Sequence, residues 1–298
     1  MSRTSLNARV TLALWTVYIL WGSTYLAIKI AGESIPAFFA SGVRFLLAGT
    51  IMAGFVALRS GAGSLRVGRR EIASAALIGL LLPGANGILF IAEHNIPTGL
   101  ASLIFASVPL TVIVLRLVTG ERPAASTIAA VAVGFLGVAL LLNPQGDTKA
   151  WAIALTVVSA VCWATGSFLS SRLPLPSDPF VATTFEMLLG GLIMLPIGIA
   201  QGPTSEVFSA KSLLALAYLI VFGSVVGYTA YVWLLANAPV QRVATYAYVN
   251  PVIAVALGAL LLDESVTVQM LAGALVVLVA VAVVVRRETV APQEPYVD

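Results

Sequence analysis

The chain has 298 residues, of which 59% are apolar and 10% charged, and its mean hydropathy is +1.01. A soluble globular domain usually has about 25% charged residues, so this composition excludes one and indicates an integral membrane protein. The net charge of +3 could suggest a nucleic-acid partner. We expect none, because the basic residues follow a membrane-topology pattern instead.

Apolar stretches long enough to cross a hydrocarbon core of about 30 Å recur along the whole chain. Continuous apolarity at this length, without strict alternation, is typical of helices and not of the strands of a membrane barrel. We therefore predict an all-α integral membrane protein with ten transmembrane helices. The predicted spans are 10–31, 37–58, 72–92, 99–118, 126–142, 151–169, 180–200, 213–236, 243–262 and 267–285.

The N-terminal segment MSRTSLNARVTLALWTVYILWG places two arginines before an apolar run, as a signal peptide does. The run continues to Ala31. It is therefore longer than the apolar core of about 7 to 15 residues in a signal peptide, and we interpret it as a retained first span. The single cysteine, Cys162, lies within a span and allows no intramolecular disulfide bond.

The basic residues are unevenly distributed between the two ends of the predicted spans. If both termini are cytoplasmic, only Lys29, Lys149 and Lys211 fall on the outer side. This imbalance follows the positive-inside rule, so we predict cytoplasmic N and C termini. The loop RSGAGSLRVGRR is interpreted as a topology anchor, and an anionic-lipid site is the less favoured alternative. The cytoplasmic arginines are Arg3, Arg9, Arg59, Arg66, Arg69, Arg70, Arg116, Arg122, Arg172, Arg242, Arg286 and Arg287.

The two halves of the chain match at a fixed offset of 142 residues. Because each half has five predicted spans, an odd number, the second copy would enter the membrane inverted. We predict an N-terminal repeat at 1–142, a C-terminal repeat at 143–286 and a cytoplasmic tail at 287–298. Inverted repeats are a recurring plan of secondary transporters, with a substrate cavity between the halves. The matched pairs are Trp21 with Trp163, Phe38 with Phe180, Gly49 with Gly191, Met52 with Met194, Asn95 with Asn237, Pro97 with Pro239 and Pro109 with Pro251.

The ninth span begins YAYVNPVIAV, which places two tyrosines, an asparagine and a proline in an apolar run. Pro251 and its partner Pro109 interrupt backbone hydrogen bonding, and a freed carbonyl in a membrane needs another partner or a polar cavity. We predict that Tyr246, Tyr248 and Asn250 bind substrate and that the two prolines contribute to gating. Tyr246 and Asn250 share a helix face, whereas Tyr248 points elsewhere. The alternative is a tolerated kink, with Asn250 tying backbone together.

Five further residues are candidates for the wall of a central cavity. Asn86 lies in the third span, and the offset pairs it with Tyr228 in the eighth. Trp21 and Trp163 lie deep in equivalent helices, where an indole offers a wide apolar face and one donor. Thr24 follows Trp21 in the motif WGSTY. The glycines beside Asn86 and Tyr228 could instead serve close helix packing.

Arg44 and Glu186 are charged residues within predicted spans, and the offset pairs them. Inverted topology separates them by roughly 10 Å in depth, so we expect no direct ion pair. A buried charge must meet water, a polar partner or a headgroup. Arg44 either snorkels and bonds to helix ends or takes part in binding or gating, and Glu186 could couple transport to protons. His94, beside Glu93 at an outer loop, could relay protons, although a solvated loop pair is favoured.

The sequence carries WGSTYLAIK in the first span, RFLLAG in the second, GERP after the fourth, VGFLGVALL in the fifth and YAYVNPVIAVALGALLLDE in the ninth. Together these motifs resemble the EamA family of the drug/metabolite transporter superfamily, and within it bacterial inner-membrane exporters of the YddG and YedA types. The resemblance implies ten helices in two inverted five-helix repeats around a central cavity. That cavity would be lined by the first, third, fourth, sixth, eighth and ninth helices. Ala130 departs from the family pattern, in which the fifth helix often has glycine.

The resemblance also implies export of amino acids and related small metabolites by alternating access, by a monomer in the lipid bilayer of the bacterial inner membrane. A multidrug exporter of the same superfamily and, less favoured, a channel are the alternatives. An enzyme is disfavoured because one histidine, one cysteine and no paired acidic motif leave no parts for a metal site or a Cys-His nucleophile. We expect neither a cofactor nor a metal. Nucleotide sugars are disfavoured, since Arg44 is the one clear cation within the spans.

Overall fold

The structure is a computed structural model, and it describes residues 3–141, 148–202, 207–238, 243 and 245–288. These residues form helices and connecting segments, with no β-strand among them. The first half contains α1 (Arg3–Gly32), α2 (Ala37–Ser60), a 3-10 helix (Ala62–Leu65), α3 (Arg69–Glu93), α4 (Thr98–Phe105), α5 (Val108–Val118) and α6 (Ala125–Leu141). The second half contains α7 (Ala150–Ser170), α8 (Pro179–Ala200), α9 (Ala210–Tyr218), a π-helical segment (Leu219–Val226), α10 (Gly227–Asn237), α11 (Tyr246–Leu261) and α12 (Val268–Glu288).

Eight of the described helical segments are long and apolar enough to cross a membrane. Two more, Ala125–Leu141 and Tyr246–Leu261, are apolar but shorter. The prediction of an all-α, multi-pass membrane protein is confirmed, and the count of ten spans stays a prediction. Pro239, Arg242, the repeat boundary at 142–143 and the tail from residue 289 onward lie outside the described residues. The eight segments are Asn7–Gly32, Ala37–Ser60, Arg69–Glu93, Thr98–Val118, Ala150–Ser170, Pro179–Ala200, Ala210–Leu235 and Val268–Arg287.

The fourth and eighth spans are irregular in their middles. In the fourth, α4 ends at Phe105 and α5 starts at Val108, so that Pro109 stands in the first turn of a new helix. A proline is tolerated there because the first N–H groups of a helix have no intrahelical partner. Pro251, its partner by offset, instead lies inside the continuous helix α11. The two prolines thus lie in different settings, and the eighth span of the second half is irregular in its π-helical segment.

Glycines let the second and seventh spans pack closely, and the contact occurs twice. A Cβ added to Gly49 would lie 2.9 Å from the backbone nitrogen of Leu188, and one added to Gly191 would lie 2.7 Å from that of Leu46. The offset that pairs Gly49 with Gly191 also pairs Leu46 with Leu188. The same contact is thus made with the roles of the two halves exchanged, which is what a two-fold relation between the halves would produce.

The bundle places its small and branched apolar residues inside and many large apolar residues outside. Ala40, Ala48 and Met52 of α2 have no exposed surface. In contrast, Leu136 of α6 and Leu275 of α12 are 67% and 65% exposed. A soluble monomer rarely exposes so much contiguous apolar surface, whereas lipid chains cover it at no cost.

Candidate substrate cavity

A cavity of about 120 Å³ lies in the middle of the bundle. Its wall is formed by α1, α2, α3, α4, α5, α7, α11 and the irregular eighth span. It has room for several water molecules. Most of the residues predicted for a substrate or gating site lie in its wall, although they come from seven different spans. They are Trp21, Thr24, Arg44, Asn86, Pro109, Trp163, Tyr228, Tyr246, Asn250 and Pro251.

One side of the cavity is a cluster of aromatic rings around Trp21. The indole ring centroid lies 5.5 Å from that of Tyr228, 5.1 Å from Tyr231 and 5.2 Å from Tyr246. Tyr231 and Tyr246 contact each other at 5.7 Å, edge to face. Sequence reasoning missed Tyr231, although it follows Tyr228 by three residues and so shares its helix face.

A second aromatic group lies across the cavity. Phe105, at the end of α4, has its ring centroid 6.4 Å from Trp163 and 6.0 Å from Tyr25. Phe105 and Tyr25 also line the cavity, and neither was predicted. The break after Phe105 directs the chain away from the helix axis at the cavity wall, which is where irregular backbone is tolerated in a membrane.

Arg44 supplies the cavity wall with a buried guanidinium group. Its side chain is 4% exposed; Nε donates to the Ser224 hydroxyl at 3.0 Å and Nη1 donates to the amide oxygen of Asn86 at 3.3 Å. Ser224 belongs to the π-helical segment, a kind of helix irregularity that is frequent at functional sites. Among the described residues no carboxylate forms an ion pair with Arg44. Its charge is met by these neutral acceptors and by the ring of Phe45, whose centroid lies 4.8 Å from the guanidinium carbon.

Asn250 both lines the cavity and bonds to backbone, and its role in substrate binding stays a prediction. In the amide orientation that satisfies its neighbours, its nitrogen donates to the carbonyl oxygens of Tyr18, at 3.2 Å, and Tyr246, at 3.3 Å. The first bond joins α11 to α1. Pro251 has no N–H to offer the carbonyl of Ala247, four residues earlier, and Ala247 also lines the cavity.

Glycines of the eighth span let α1 approach the cavity wall. A Cβ added to Gly227 would lie 2.6 Å from the Trp21 indole nitrogen, and one added to Gly223 would lie 3.1 Å from Thr24 Cγ2. The packing role considered for these glycines therefore agrees with a role in the site. The absence of side chains at Gly223 and Gly227 is what admits Trp21 and Thr24.

Three predicted residues do not line the cavity. Tyr248 is half-buried on another side of α11, and His94 is exposed at the end of α3. Glu186 is buried in α8, and its carboxylate interacts electrostatically with the Tyr228 phenol, which also interacts with Arg44. No ion pair joins Arg44 and Glu186 among the described residues.

Sequence reasoning also missed a buried ionic cluster near the end of the bundle that holds Lys29. Lys29 Nζ lies 2.7 Å from Glu264 Oε1, and Glu93 beside them has no exposed surface. The expectation of a solvated pair of Glu93 and His94 is therefore wrong for Glu93. The sequence did place Lys29, Glu93 and Glu264 at the ends of the first, third and ninth predicted spans, which lie on the same side of the membrane in the predicted topology.

The wall offers hydroxyl, amide, indole and guanidinium groups, and no carboxylate is among its lining residues. Within the described ranges, no group of three or more His, Cys, Asp or Glu side chains is placed to hold a metal ion. Such a wall can bind a small molecule that carries an anionic group and an apolar or aromatic body.

Comparison with known proteins identifies relatives across the whole length. The model of the EamA-like transporter family matches residues 9–143 and again residues 150–286. The chain is 37% identical over 251 residues to the "uncharacterized inner membrane transporter YedA" of Escherichia coli strain K12, covering 83% of this chain and 80% of that one. It is 26% identical over 275 residues to a "probable amino-acid metabolite efflux pump" of the same organism, covering 88% and 90%.

A solved crystal structure of another protein shares the fold. Its TM-score is 0.63 at 21% sequence identity, and the match covers 95% of this chain and 96% of the other. A chloroplastic WAT1-related protein of Arabidopsis thaliana is 27% identical over 292 residues, covering 91% of this chain and 69% of that protein. The same helical arrangement therefore extends over nearly the full chain.

Proposed function

Because the chain belongs to the EamA-like transporter family, we propose that it exports amino acids and related small metabolites through this cavity by alternating access. We further propose ten transmembrane helices in two inverted repeats, 1–142 and 143–286, acting as a monomer. The membrane is the bacterial inner membrane, and both termini are cytoplasmic. The relative named as an inner membrane transporter and the arginine-rich ends of the spans support this placement.

The observation that supports this substrate class is the Arg44 guanidinium, which forms no ion pair with a carboxylate of the described residues. A buried cation without a carboxylate partner is costly, and an anionic group of a ligand offsets that cost. Every amino acid brings a carboxylate, which pairs with guanidinium through short, charge-assisted hydrogen bonds. Ser224 and Asn86 hold the guanidinium in the wall by its Nε and Nη1 atoms. The remaining N–H groups are left for the substrate.

The aromatic rings fit the other parts of an amino acid. Trp21, Tyr228 and Tyr246 line the cavity, and the face of an aromatic ring attracts an ammonium group within about 6 Å of its centroid. The rest of the wall is apolar, so it accepts side chains of different shapes without demanding a specific hydrogen bond. A relative named as an amino-acid metabolite efflux pump is consistent with this substrate class.

The wall disfavours the multidrug alternative. An amino acid brings its own carboxylate beside the ammonium group, whereas a cationic drug depends on the protein for a counter-charge, and no Asp or Glu is among the lining residues of this cavity. Arg44 would repel a cation at the same place. A channel would conduct without saturation, so kinetics separate it from a carrier.

The test is substrate counterflow by purified protein in liposomes. We expect saturable exchange of several amino acids and no exchange of the corresponding amines, which lack the carboxylate. Arg44→Gln should raise the half-saturation concentration about tenfold or more, since a hydrogen bond to a charged group contributes about 1.5 to 3 kcal/mol. Arg44→Lys keeps the charge and should recover part of the loss.

Arg59→Gln is the matched control, because Arg59 lies on α2 outside this cavity and stacks on Phe180 with 4.8 Å to the ring centroid. It should leave the half-saturation concentration unchanged. Equal exchange of amines and amino acids, or an unaffected Arg44→Gln variant, would contradict the proposal. Ionic conductance without saturable exchange would favour a channel.

A further inference from the structure

A buried ion pair joins the two halves of the chain at the end of the bundle that holds Lys29, here termed the outer end. Lys29 Nζ, at the end of α1, lies 2.7 Å from Glu264 Oε1, and it also donates to the carbonyl of Ile96 at 3.1 Å. The two side chains are only 23% and 11% exposed. Lys29 belongs to the first half and Glu264 to the second, so this end cannot open between the halves without breaking the pair.

Glu264 also fastens the start of α4. Its Oε1 accepts a hydrogen bond from the backbone N–H of Thr98 at 2.9 Å, and its Oε2 accepts one from Gly99 at 3.4 Å. These are N–H groups of the first turn of a helix, where a carboxylate is favoured by hydrogen bonding and by the helix dipole. The negative charge of Glu264 is thus balanced by Lys29 and by the backbone N–H groups at the start of α4.

Glu93 lies beside this pair and has no such partners. It has no exposed surface, and neither of its carboxylate oxygens has a hydrogen-bond partner; the hydroxyl of Thr98 is likewise buried without one. The groups that face it are Lys29 and the Tyr25 phenol from α1, Glu264 from the segment before α12, and Thr98 from α4. Lys29 is the one cation among them, and it already pairs with Glu264.

The charges in this cluster do not balance if every group is ionised. One lysine and two glutamates would leave a net charge of −1 in a buried site. A buried carboxylate without a partner takes up a proton, because removing its charge from water costs more free energy. A proton on Glu93 removes the excess charge, and the resulting O–H group can donate to Thr98. Buried polar groups without hydrogen-bond partners are often found at proton-binding or ion-binding sites.

We propose that Glu93 is the proton-binding site of an outer gate: its carboxyl group is neutral while the Lys29–Glu264 pair closes the outer end, and it ionises when that end opens to water. On opening, the proton passes from the carboxyl group to a water molecule of the outer solution. On closing, one proton returns. The inference rests on the proposed alternating access but not on the substrate being an amino acid.

The sign of the pH dependence follows from this assignment. The closed state holds one more proton than the open state, so a low outer pH favours closure and a rising outer pH favours opening. A single proton allows the ratio of open to closed molecules to rise by at most about tenfold per pH unit. His94 adjoins Glu93 in sequence, but it is exposed, whereas Glu93 is buried.

The experiment measures opening from outside, without any substrate. Ile28 adjoins Lys29, lines the cavity and is 1% exposed, so a cysteine there reports opening of this end. Ile28→Cys is placed in a Cys162→Ser background, and labelling by a membrane-impermeant maleimide is timed at outer pH values from 5 to 8. The same reporter with Glu93→Gln is the matched control, because the thiol's own ionisation is shared by both proteins.

With Glu93 present, we expect the labelling rate to rise with pH more steeply than in the Glu93→Gln variant, by up to about tenfold per unit. The variant should be labelled slowly at every pH, because its neutral amide keeps the end closed. Glu264→Gln, which breaks the ion pair, should be labelled faster at every pH. Monodisperse size-exclusion profiles in detergent show that each variant is folded.

Equal pH slopes with and without Glu93 would overturn the proposal. So would a labelling rate that follows the sodium concentration at constant pH, because the buried oxygens would then belong to a metal-cation site. A reporter that is never labelled, in a protein that still exchanges substrate, would contradict opening at this end. Failure of amino-acid exchange with the pH-linked labelling intact would remove the proposed substrate and leave the gate.

Discussion

Trp21 donates its indole N–H to the backbone carbonyl of Gly223 at 3.2 Å. This bond ties α1 to the π-helical segment of the eighth span, where the irregular helix leaves carbonyls that need outside donors. The same indole ring is the centre of the aromatic side of the cavity. One residue therefore shapes the aromatic side of the wall and also bonds to the backbone of the eighth span beside it.

Replacing Trp21 by Phe keeps an aromatic ring but removes this donor. We expect a loss of about 0.5 to 1.5 kcal/mol of stability, the usual net contribution of a hydrogen bond, plus a small packing loss. The measurement is thermal unfolding in detergent. Trp151→Phe is the control, because Trp151 is 45% exposed on the outside of the bundle. Equal unfolding midpoints for the two variants would mean that the bond contributes nothing.

Gly79→Ala tests the closest approach between α3 and α8. A Cβ at Gly79 would lie 2.5 Å from the carbonyl oxygen of Glu186 and 2.8 Å from the backbone nitrogen of Gly190. Backbone cannot yield as a side chain can, so we expect destabilisation of about 1 to 3 kcal/mol. Gly54→Ala, on α2 with no atom within 4 Å of the added Cβ, should be neutral or slightly stabilising. Equal effects at both positions would contradict this packing.

The cavity wall could be predicted well because it is built from residues that are unusual in a membrane span. Trp21, Asn86 and Asn250 stand out against an aliphatic background, and the repeat offset connects the first two to Trp163 and Tyr228. A polar side chain inside a span must face protein or water, which leaves few places for it. The same rule does not say which protein surface it faces. Tyr248 and Glu186 obey it by packing between helices, away from the cavity.

The irregular backbone and the ionic cluster could not be predicted in the same way. The π-helical Leu219–Val226 is set by how the eighth span packs on α1 and α2, and the sequence alone carries no signal for it. Lys29, Glu93 and Glu264 each look like an ordinary charge at the end of a span. Only the folded chain shows that Glu93 is wholly buried beside the other two.

Glu121 makes the arginine-rich end of the bundle sensitive to acid. Its Oε2 lies 2.6 Å from Arg116 Nε, and its other oxygen pairs with Arg172, which follows α7 in the second half. Slight burial would raise the pKa of Glu121, but the hydrogen bonds and charges of the two arginines outweigh it and lower that pKa below its usual range. A carboxyl with a lowered folded-state pKa stabilises above the unfolded value of about 4.3 and loses that contribution as pH falls through the folded value.

Glu121→Gln should therefore lower stability slightly at pH 7, and the difference from the unmodified protein should shrink as pH falls below about 4.3 and vanish below the folded-state pKa of Glu121. The carboxylate is about a third exposed, so we expect at most about 1 kcal/mol, reduced further by salt. Unfolding midpoints between pH 3 and pH 7, at low and high salt, measure it. A difference that is as large at pH 3 as at pH 7 would show that the glutamine acts by some means other than the lost charge.

Pro251 tests whether an incomplete helix at the cavity wall serves transport. Pro251→Ala supplies the N–H that the Ala247 carbonyl lacks, and a proline inside a helix costs about 3 kcal/mol or more. The variant should therefore unfold at the same or a higher temperature, while counterflow slows by about tenfold because a regular helix moves less easily between conformations. Pro196→Ala is the control, since Pro196 lies inside α8, exposed and away from the cavity. It should gain stability without slowing exchange, and equal exchange rates in the two variants would assign Pro251 to packing alone.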